Sequence, residues 1–428
     1  MDAKRSRKAL KERRKYQVCR VYELKIDESR LSASQRESLK MLFVEAKWFY
    51  NHILSQKNVF DVDYKKVDIT VLNKRTGEKT ERTIEHLGSS LRVSLAQQIQ
   101  YQIIALSKAK KKGIKVGRLK FKRDFRTIEL KNDAYRIISK NRIRIQTIKK
   151  PFIVRGLKQI PEDVEFANAK LMKKPSGYYI RVTTYATPTQ VENKERKDVG
   201  LDFGIRDHVT TSEGEKFNWS IEETERLKRL QRRFFKAKKG SNNRRKIIKF
   251  LDVEYEKVSN RKNDAANKFV NYLLSTYHTI YIQDDDFSKW KKEKKRGYGR
   301  VIQHSILGRI KRKLIESKKH KRVVVIERFA PSTKQCHVCG TLNVIEQSAK
   351  IFKCSKCRHR EDRDIKAAKT IMLFGKIDSL DLIPVIPVDR RDSKLVENCT
   401  SAVSALMLAP QVLFDEARRC DASEEVSR

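Results

Sequence analysis

The sequence has no long apolar run and few cysteines. No stretch of about eighteen consecutive apolar residues occurs, so a transmembrane helix is not expected. The amino-terminal stretch MDAKRSRKALKERRK lacks the apolar core of a signal peptide. Four of the seven cysteines have the spacing of a zinc site, which indicates a reducing compartment and leaves Cys19, Cys399 and Cys420 as free thiols. A cytoplasmic protein is therefore expected.

Acidic residues are scarce relative to basic ones. Lys and Arg number 98 against 53 Asp and Glu, which gives a formal net charge of +45 over 428 residues. Charge of one sign on this scale destabilises a compact chain by self-repulsion unless a polyanion neutralises it. A nucleic acid is therefore the expected partner, and a membrane is not. The length is sufficient for two or three domains.

Two C-x-x-C pairs predict a structural zinc site. Cys336 and Cys339 form the first pair, Cys354 and Cys357 form the second, and fourteen residues separate the pairs. Four thiolates at this spacing can close around one tetrahedral Zn²⁺ ion. Unrelated buried cysteines are the less favoured alternative, because the pairs match and the loop between them is short and polar.

Acidic residues recur where predicted strands end. Asp202 lies in an apolar strand, a later strand ends in acids at 284–286, and another ends at Glu327. Asp362 and Asp364, which begin the helix behind the cysteines, would by themselves be ordinary N-terminal acids. The strand and helix order is that of an α/β domain whose parallel strands end at one sheet edge. Carboxylates gathered there repel one another, so two Mg²⁺ ions about 4 Å apart are predicted, for phosphodiester hydrolysis.

The first half of the chain predicts a β-barrel that carries a helical module. Alternating apolar residues predict a strand over 18–26 and further short strands over 127–184. Between them, Ser34 and Glu37 form a capping box at the start of an amphipathic helix, and a second helix follows. Residues 113–125, GIKVGRLKFKRDF, predict a strand with one basic face.

Several motifs occur in a fixed order along the chain. They are GLDFGI at 200–205, IQDDDFSKW at 282–290, STKQCHVCG at 332–340, CSKC at 354–357 and DRDIKAAKTI at 362–371, with LFVEAKWFYN at 42–51 and GRLKFK at 117–122 upstream. Over about residues 20–375 the chain resembles TnpB, the RNA-guided nuclease family of insertion sequences, in the form found with serine-recombinase elements. Fanzor proteins and miniature type V CRISPR effectors are related alternatives.

The resemblance implies an α/β RNase H-like (RuvC) nuclease domain with a zinc ribbon, and a β-barrel (wedge) domain with a helical recognition insertion. The predicted domains are a disordered basic arm at 1–16, the wedge barrel at 17–34 and 113–193, the helical recognition module at 35–112, the nuclease domain at 198–331 and 361–376, the zinc ribbon at 332–360 and a C-terminal tail at 377–428.

The resemblance also implies the Mg²⁺ ligands. The family's first and last acids fall on Asp202 and Asp364, but the middle glutamate is replaced by Gln283, whose neutral amide cannot bridge metal ions. Two replacements remain open, Glu327 and Asp285, and Glu327 is slightly favoured. Adjacent parallel strands lie about 4.8 Å apart, so an acid on either strand could reach the metals.

Lys366 is a second departure, because the family commonly has Asn or His at this position. Its amine could pair with a phosphate or compete with a metal ion.

The function implied by the resemblance is that of a guide-RNA-directed DNA endonuclease encoded by a transposable element. The expected cofactors are structural Zn²⁺ and catalytic Mg²⁺, and the expected partners are guide RNA and double-stranded target DNA in a monomeric ribonucleoprotein. The expected location is the nucleoid, or the nucleus of a eukaryotic host. Gln283 leaves open a nuclease-dead RNA-guided DNA-binding repressor, since binding needs basic residues but no acid triad. A DNA transposase is a weaker alternative, because the zinc insertion precedes the last acid.

Overall fold

The computed structural model describes residues 9–64, 67–72, 77–187, 196–292, 298–317, 323–346 and 348–378. The chain divides into two compact units, Met1–Glu192 and Asn193–Arg428. Within the described residues, no helix is both long enough and apolar enough to cross a membrane. The predicted C-terminal tail lies outside the described residues after position 378.

The first unit is built on a seven-stranded antiparallel sheet. The strands of this unit are β1 Val18–Ile26, β2 Asp68–Leu72, β3 Lys79–Thr83, β4 Thr127–Leu130, β5 Tyr135–Ser139, β6 Arg142–Ile145, β7 Phe152–Arg155, β8 Glu165–Lys174 and β9 Gly177–Ala186. The large sheet has the order β4-β8-β9-β1-β7-β6-β5, and β2 pairs only with β3. The outer strands β4 and β5 are consecutive in the chain and joined by residues 131–134, so the sheet nearly closes on itself. This agrees with the predicted barrel.

The described part of the predicted basic arm is not disordered. Residues 9–13 are helical and form α1, and Arg13 Nη2 lies 2.9 Å from Glu165 Oε1 in β8. An ion pair joins this part of the arm to the sheet, whereas residues 1–8 lie outside the described ranges.

A helical insertion follows β1. Its helices are α2 Ala33–Ser55 and α3 Ser89–Lys111, with the β2–β3 hairpin between them. The predicted capping box at Ser34 and Glu37 is wrong, because the box lies two residues earlier. Ser32 Oγ accepts a hydrogen bond from the Gln35 amide, and Gln35 Oε1 accepts one from the Ser32 amide. Glu37 instead pairs with Lys40.

The predicted strand at 113–125 is also wrong. No strand forms in these residues, Leu119 packs against the core, and Phe121 is 63% exposed. Asn51 of α2 exchanges two hydrogen bonds with the backbone N–H and C=O of Lys122. A side-chain amide therefore takes the backbone groups that a neighbouring strand would have paired.

The second unit contains a five-stranded mixed sheet. Its elements are β10 Val199–Phe203, β11 Val209–Thr211, β12 Lys216–Phe217, α4 Glu225–Lys236, α5 Asn242–Thr276, β13 Ile280–Gln283, α6 Phe287–Lys292, α7 Gly299–His304, α8 Leu307–Ser317, β14 Val323–Ile326, β15 Ile351–Lys353, β16 Arg360–Asp362 and α9 Arg363–Asp378. The sheet order is β12-β11-β10-β13-β14, and β15 pairs with β16. Strands β10, β13 and β14 are parallel, which confirms the prediction that their ends meet at one edge.

Helices cover both faces of this sheet. On β13, Ile280 and Ile282 pack with α5 and α8, whereas Tyr281 on the opposite face packs with Ile371 of α9. Two glycines allow α9 to come close. A Cβ atom at Gly200 of β10 would overlap the backbone of α9, and one at Gly375 would overlap the ring of Tyr281. This close packing brings the start of α9 beside the ends of the strands.

Candidate metal centres

The four cysteines come together with the spacing of a zinc site. Cys336 Sγ lies 3.7 Å from Cys357 Sγ, and Cys339 Sγ lies 3.5 Å from Cys354 Sγ. Tetrahedral Zn–S bonds of about 2.3 Å require sulfur atoms about 3.8 Å apart. All four sulfurs lie within 4.8 Å of one another, so the residues present fit the predicted Zn²⁺ ion.

Polar groups around Cys354 favour its thiolate form. Burial raises the pKa of Cys354, but the backbone N–H groups of Cys357 and Lys356 outweigh it and lower this pKa to about 6. Asn343 Nδ2 also donates to Cys354 Sγ at 3.8 Å, while Asn343 Oδ1 accepts from the Ser355 amide at 2.8 Å. Such supporting contacts orient metal ligands.

A second group of potential ligands lies beside the cysteines. The ligand atoms of His337, His359 and Glu361 are within 4.8 Å of one another, and His359 Nε2 lies 3.2 Å from Glu361 Oε2. The other oxygen of Glu361 accepts a hydrogen bond of 2.5 Å from Lys369 of α9. Through Glu361 this group joins the zinc ribbon to α9.

The second centre contains three aspartates from different elements. Asp202 is in β10, Asp285 follows β13, and Asp364 is in the first turn of α9. Burial raises the pKa of Asp202 well above its usual value, and the nearby charges of Asp364 and Asp285 raise it further. Arg363 and Lys366 oppose this increase only partly. The structure therefore places these three acids in one electrostatic neighbourhood.

The three consecutive acids after β13 have different surroundings. Asp284 forms ion pairs with Lys311 at 2.6 Å and Arg328 at 2.8 Å, and the hydrogen bond from Lys311 lowers the pKa of Asp284. Asp286 Oδ1 accepts from the backbone amides at the start of α6. Across the described part of the chain, the carboxylate of Asp285 has no ion pair, and burial raises its pKa to about 6. Of the three, Asp285 alone is left to bind a cation.

Glu327 has a different environment from Asp285. It follows β14, its side chain is exposed, and it is not among the charges that raise the pKa of Asp202. These electrostatics favour Asp285 over Glu327 as the acid near Asp202. The three aspartates are less tightly grouped than the sulfurs, since in the described ranges only the cysteines and the histidine group meet the 4.8 Å spacing.

Gln283 is a structural residue in this protein. The side chain is only 7% exposed, and its Nε2 atom lies 3.3, 3.0 and 2.8 Å from the carbonyl oxygens of Glu327, Arg328 and Ala330. Its Oε1 atom accepts a hydrogen bond of 2.8 Å from Ser332 Oγ. A glutamate could not make the donor contacts, which gives a physical reason for the amide at this position.

Lys366 is also structural, and its expected contact with a phosphate or metal ion is wrong. The residue is fully buried, and Nζ donates to the carbonyl oxygens of Ser332, Thr333 and Gln335 at 2.7, 2.5 and 3.0 Å. Burial lowers the pKa of Lys366 to about 8. The contacts of Gln283 and Lys366 were missed from the sequence, where the only signal was that both residues depart from the family pattern.

The two acids at the start of α9 have different roles. Asp362 Oδ1 accepts from the backbone amides of Asp364 and Ile365, so Asp362 caps the helix as an ordinary N-terminal acid. Its Oδ2 atom accepts from Lys216 at 2.9 Å. The side chain of Asp364 accepts a hydrogen bond from Arg363 Nε, and its negative charge raises the pKa of Asp202.

Two family models match the chain. The model OrfB_IS605, described as a probable transposase, matches residues 179–292, and the Cas12f1-like TNB domain matches residues 308–371. A protein of Streptomyces pristinaespiralis, named a putative RNA-guided DNA endonuclease, is 28% identical over 233 residues, which cover 53% of this chain and 57% of that protein. A TnpB-like protein of Acanthamoeba polyphaga mimivirus is 27% identical over 215 residues, covering 46% and 41%.

Among solved structures, the chain is similar to Cas12f1 in a cryo-EM complex with sgRNA and target DNA. That match has a TM-score of 0.47 and 12% identity, and it covers 83% of this chain and 99% of the other. The sequence matches confirm the resemblance to the TnpB family of RNA-guided nucleases. The chain spans about half the length of the curated relatives that it matches.

Proposed function

We propose that this protein is a guide-RNA-directed DNA endonuclease of a transposable element, with Asp202, Asp285 and Asp364 as its catalytic acids. The observation that carries the proposal is the raised pKa of Asp202 caused by burial and by the other two acids. Carboxylates from three distant parts of the chain are held near one another although they repel. Strongly perturbed acids of this kind are typical of functional sites.

The expected RNase H-like (RuvC) fold is part of this proposal. Its support is the mixed sheet in which β10 is central, with the β11–β12 hairpin on one side and the parallel strands β13 and β14 on the other. In open sheets of this type, ligands bind beyond the carboxyl ends of the parallel strands. The proposed acids lie at that edge and at the adjoining start of α9.

The carboxylate oxygens of the aspartates fit Mg²⁺, which prefers oxygen ligands. The thiols of the zinc ribbon do not fit this ion. Asp202, Asp285 and Asp364 would hold the ions. Two bound ions would stabilise the attacking water and the leaving oxygen of a phosphodiester. The protein itself would contribute by positioning the acids that hold the ions. Lys311 donates to the backbone carbonyl of Asp285 and pairs with Asp284, so it fixes the backbone that presents Asp285.

Binding of nucleic acid is supported by the distribution of charge. Residues 226–251, which span α4 and the start of α5, contain twelve Lys and Arg residues and no acidic residue. Phe235 and Phe250 in this stretch are 79% and 53% exposed. Cations that contact phosphates and aromatic rings that stack on unpaired bases are a common combination in proteins that bind single strands.

The second candidate function is a nuclease-dead RNA-guided repressor, and it rests on Gln283. The hydrogen bonds of Gln283 give its amide a structural role, and Asp285 supplies an acid nearby. The endonuclease is therefore the better supported function.

The test is Mg²⁺-dependent cleavage of target plasmid by the purified protein with its guide RNA. We expect Asp202→Asn to lower cleavage by more than about 100-fold, since even residues that only support metal ligands cost 10–100-fold. Guide-RNA and target binding should stay unchanged, because the substitution removes no cation. Target binding by the wild-type complex without any cleavage would favour the repressor.

A further inference from the structure

Residues 327–335 connect β14 to the first cysteine pair, and we name them the bridging segment. Six of its carbonyl groups accept hydrogen bonds from Gln283 or Lys366, and the carbonyl of Gln335 also accepts one from Thr370 Oγ1. Gln283 binds the carbonyls of residues 327, 328 and 330, and Lys366 binds those of residues 332, 333 and 335. The segment has no strand partner for these carbonyls, apart from an isolated bridge at Gln335 within the described residues.

Both donors are buried, so water cannot replace them. Lys366 is 0% exposed and Gln283 is 7% exposed. An ammonium group has three donors, and the three carbonyl contacts of Lys366 use all of them. Among the described residues, removal of Lys366 would leave the carbonyls of Ser332 and Thr333 without a donor, and removal of Gln283 would leave that of Arg328 without one. Each unpaired buried group costs about 1–3 kcal/mol.

Each donor lies two positions from a proposed metal ligand. Gln283 ends β13 and precedes Asp285, and Lys366 follows Asp364 in the first turns of α9. Ser332 joins the two sets of contacts, because its hydroxyl donates to Gln283 and its carbonyl accepts from Lys366. The bridging segment therefore links the two elements that present Asp285 and Asp364.

We propose that Gln283 and Lys366 are positioning residues which, through the bridging segment, hold Asp285 and Asp364 at the separation needed for divalent metal binding. This inference rests on the proposed function. The segment continues directly into Cys336, the first cysteine of the zinc ribbon. Neither Gln283 nor Lys366 touches the metal ions or the substrate.

The first test uses Lys366→Met, which keeps most of the side-chain volume and removes the three donors. The full-length protein with guide RNA is titrated with Mg²⁺ in the cleavage assay and with Mn²⁺ in a direct binding measurement. We expect the metal concentration for half-maximal cleavage to rise by about 10–100-fold, as for other residues that orient metal ligands. Excess Mg²⁺ should restore much of the rate, which a general loss of folded protein would not allow.

The matched control is Lys369→Met, one turn further along α9, where the lysine pairs with Glu361 and does not touch the bridging segment. We expect its metal dependence to stay near that of the parent protein. Equal metal affinity in Lys366→Met and the parent would overturn the inference. If the parent neither cleaves DNA nor binds Mn²⁺, the proposed function itself fails, so the two failures can be distinguished.

The second variant is Gln283→Glu, which restores the acid of the family pattern and remains informative if Lys366→Met does not fold. A carboxylate cannot donate to the three carbonyls and would face their negative ends. We therefore expect weaker Mn²⁺ binding and slower cleavage than in the parent. Tighter metal binding or faster cleavage by Gln283→Glu would contradict the positioning role and indicate a vacant ligand position instead.

Discussion

The cysteine cluster and the aspartate cluster differ in how close together their ligand atoms lie in the protein without a metal ion. The four sulfurs already lie at distances that suit a tetrahedral zinc ion, with two pairs 3.5 and 3.7 Å apart. The aspartates are more widely spaced, and the pKa of Asp202 is raised by its neighbours. The pKa values of Cys336 and Cys357 are raised, so their neutral thiols can approach the other sulfurs without an ion, whereas ionised carboxylates repel one another. We infer that the aspartate site needs a rigid scaffold, such as the bridging segment, more than the cysteine site does.

The largest expected effect concerns the cysteine cluster. Cys354→Ser should lose the bound zinc and unfold the ribbon, because structural zinc supplies about 10–16 kcal/mol of apparent binding energy in small zinc domains. Metal analysis and thermal unfolding of the purified protein measure this. Cys19→Ser, at an exposed cysteine of the first unit, is the control and should keep its zinc. A full zinc content in Cys354→Ser would show that another residue completes the site.

The next effect separates the two candidates for the middle acid. We expect Asp285→Asn to reduce cleavage by more than about 100-fold, because it removes a proposed metal ligand. Glu327→Gln should cleave at nearly the parent rate, since its side chain is exposed. Cleavage rates at saturating Mg²⁺, with guide-RNA binding as the control, decide between them. The opposite result, loss of activity in Glu327→Gln alone, would show that Glu327 and not Asp285 is the middle acid.

The smallest effect is a pH dependence of stability in protein free of Mg²⁺. The pKa of Asp285 is about 6 in the folded protein, above the usual value of about 3.9 in an unfolded chain. The folded state therefore binds more protons between these values, and the free energy of unfolding falls as the pH rises through 6. Asp285→Asn should raise the Tm relative to the parent at about pH 7.5 but not at about pH 4.

Thermal unfolding in Mg²⁺-free buffer measures this difference. Added Mg²⁺ should reduce it at the higher pH, because the ion stabilises the parent and not the variant. A lower Tm for Asp285→Asn at about pH 7.5 without Mg²⁺ would mean that the carboxylate is stabilised by a cation of the protein.

Local patterns predicted much of the fold, and local ambiguity explains the errors. The alternation of apolar residues in β1 and the apolar runs of β10, β13 and β14 correctly predicted strands. Such patterns can be recognised from residues that are adjacent in the chain. Residues 113–125 have a similar pattern, but Asn51 binds their backbone and no strand forms. The capping box was placed two residues late because Ser32 with Gln35 and Ser34 with Glu37 fit the same motif.

The sequence by itself determined the zinc ribbon and the positions of Asp202 and Asp364, because cysteine spacing and acids at strand and helix ends are local features. The proposed choice of Asp285 over Glu327 rests on tertiary structure alone. That choice depends on which acid is buried and raises the pKa of Asp202, as Asp285 does, and which is exposed, as Glu327 is. It also depends on which backbone carbonyls accept hydrogen bonds from the buried side chains of Gln283 and Lys366. Neither property can be read from residues that are adjacent in the sequence.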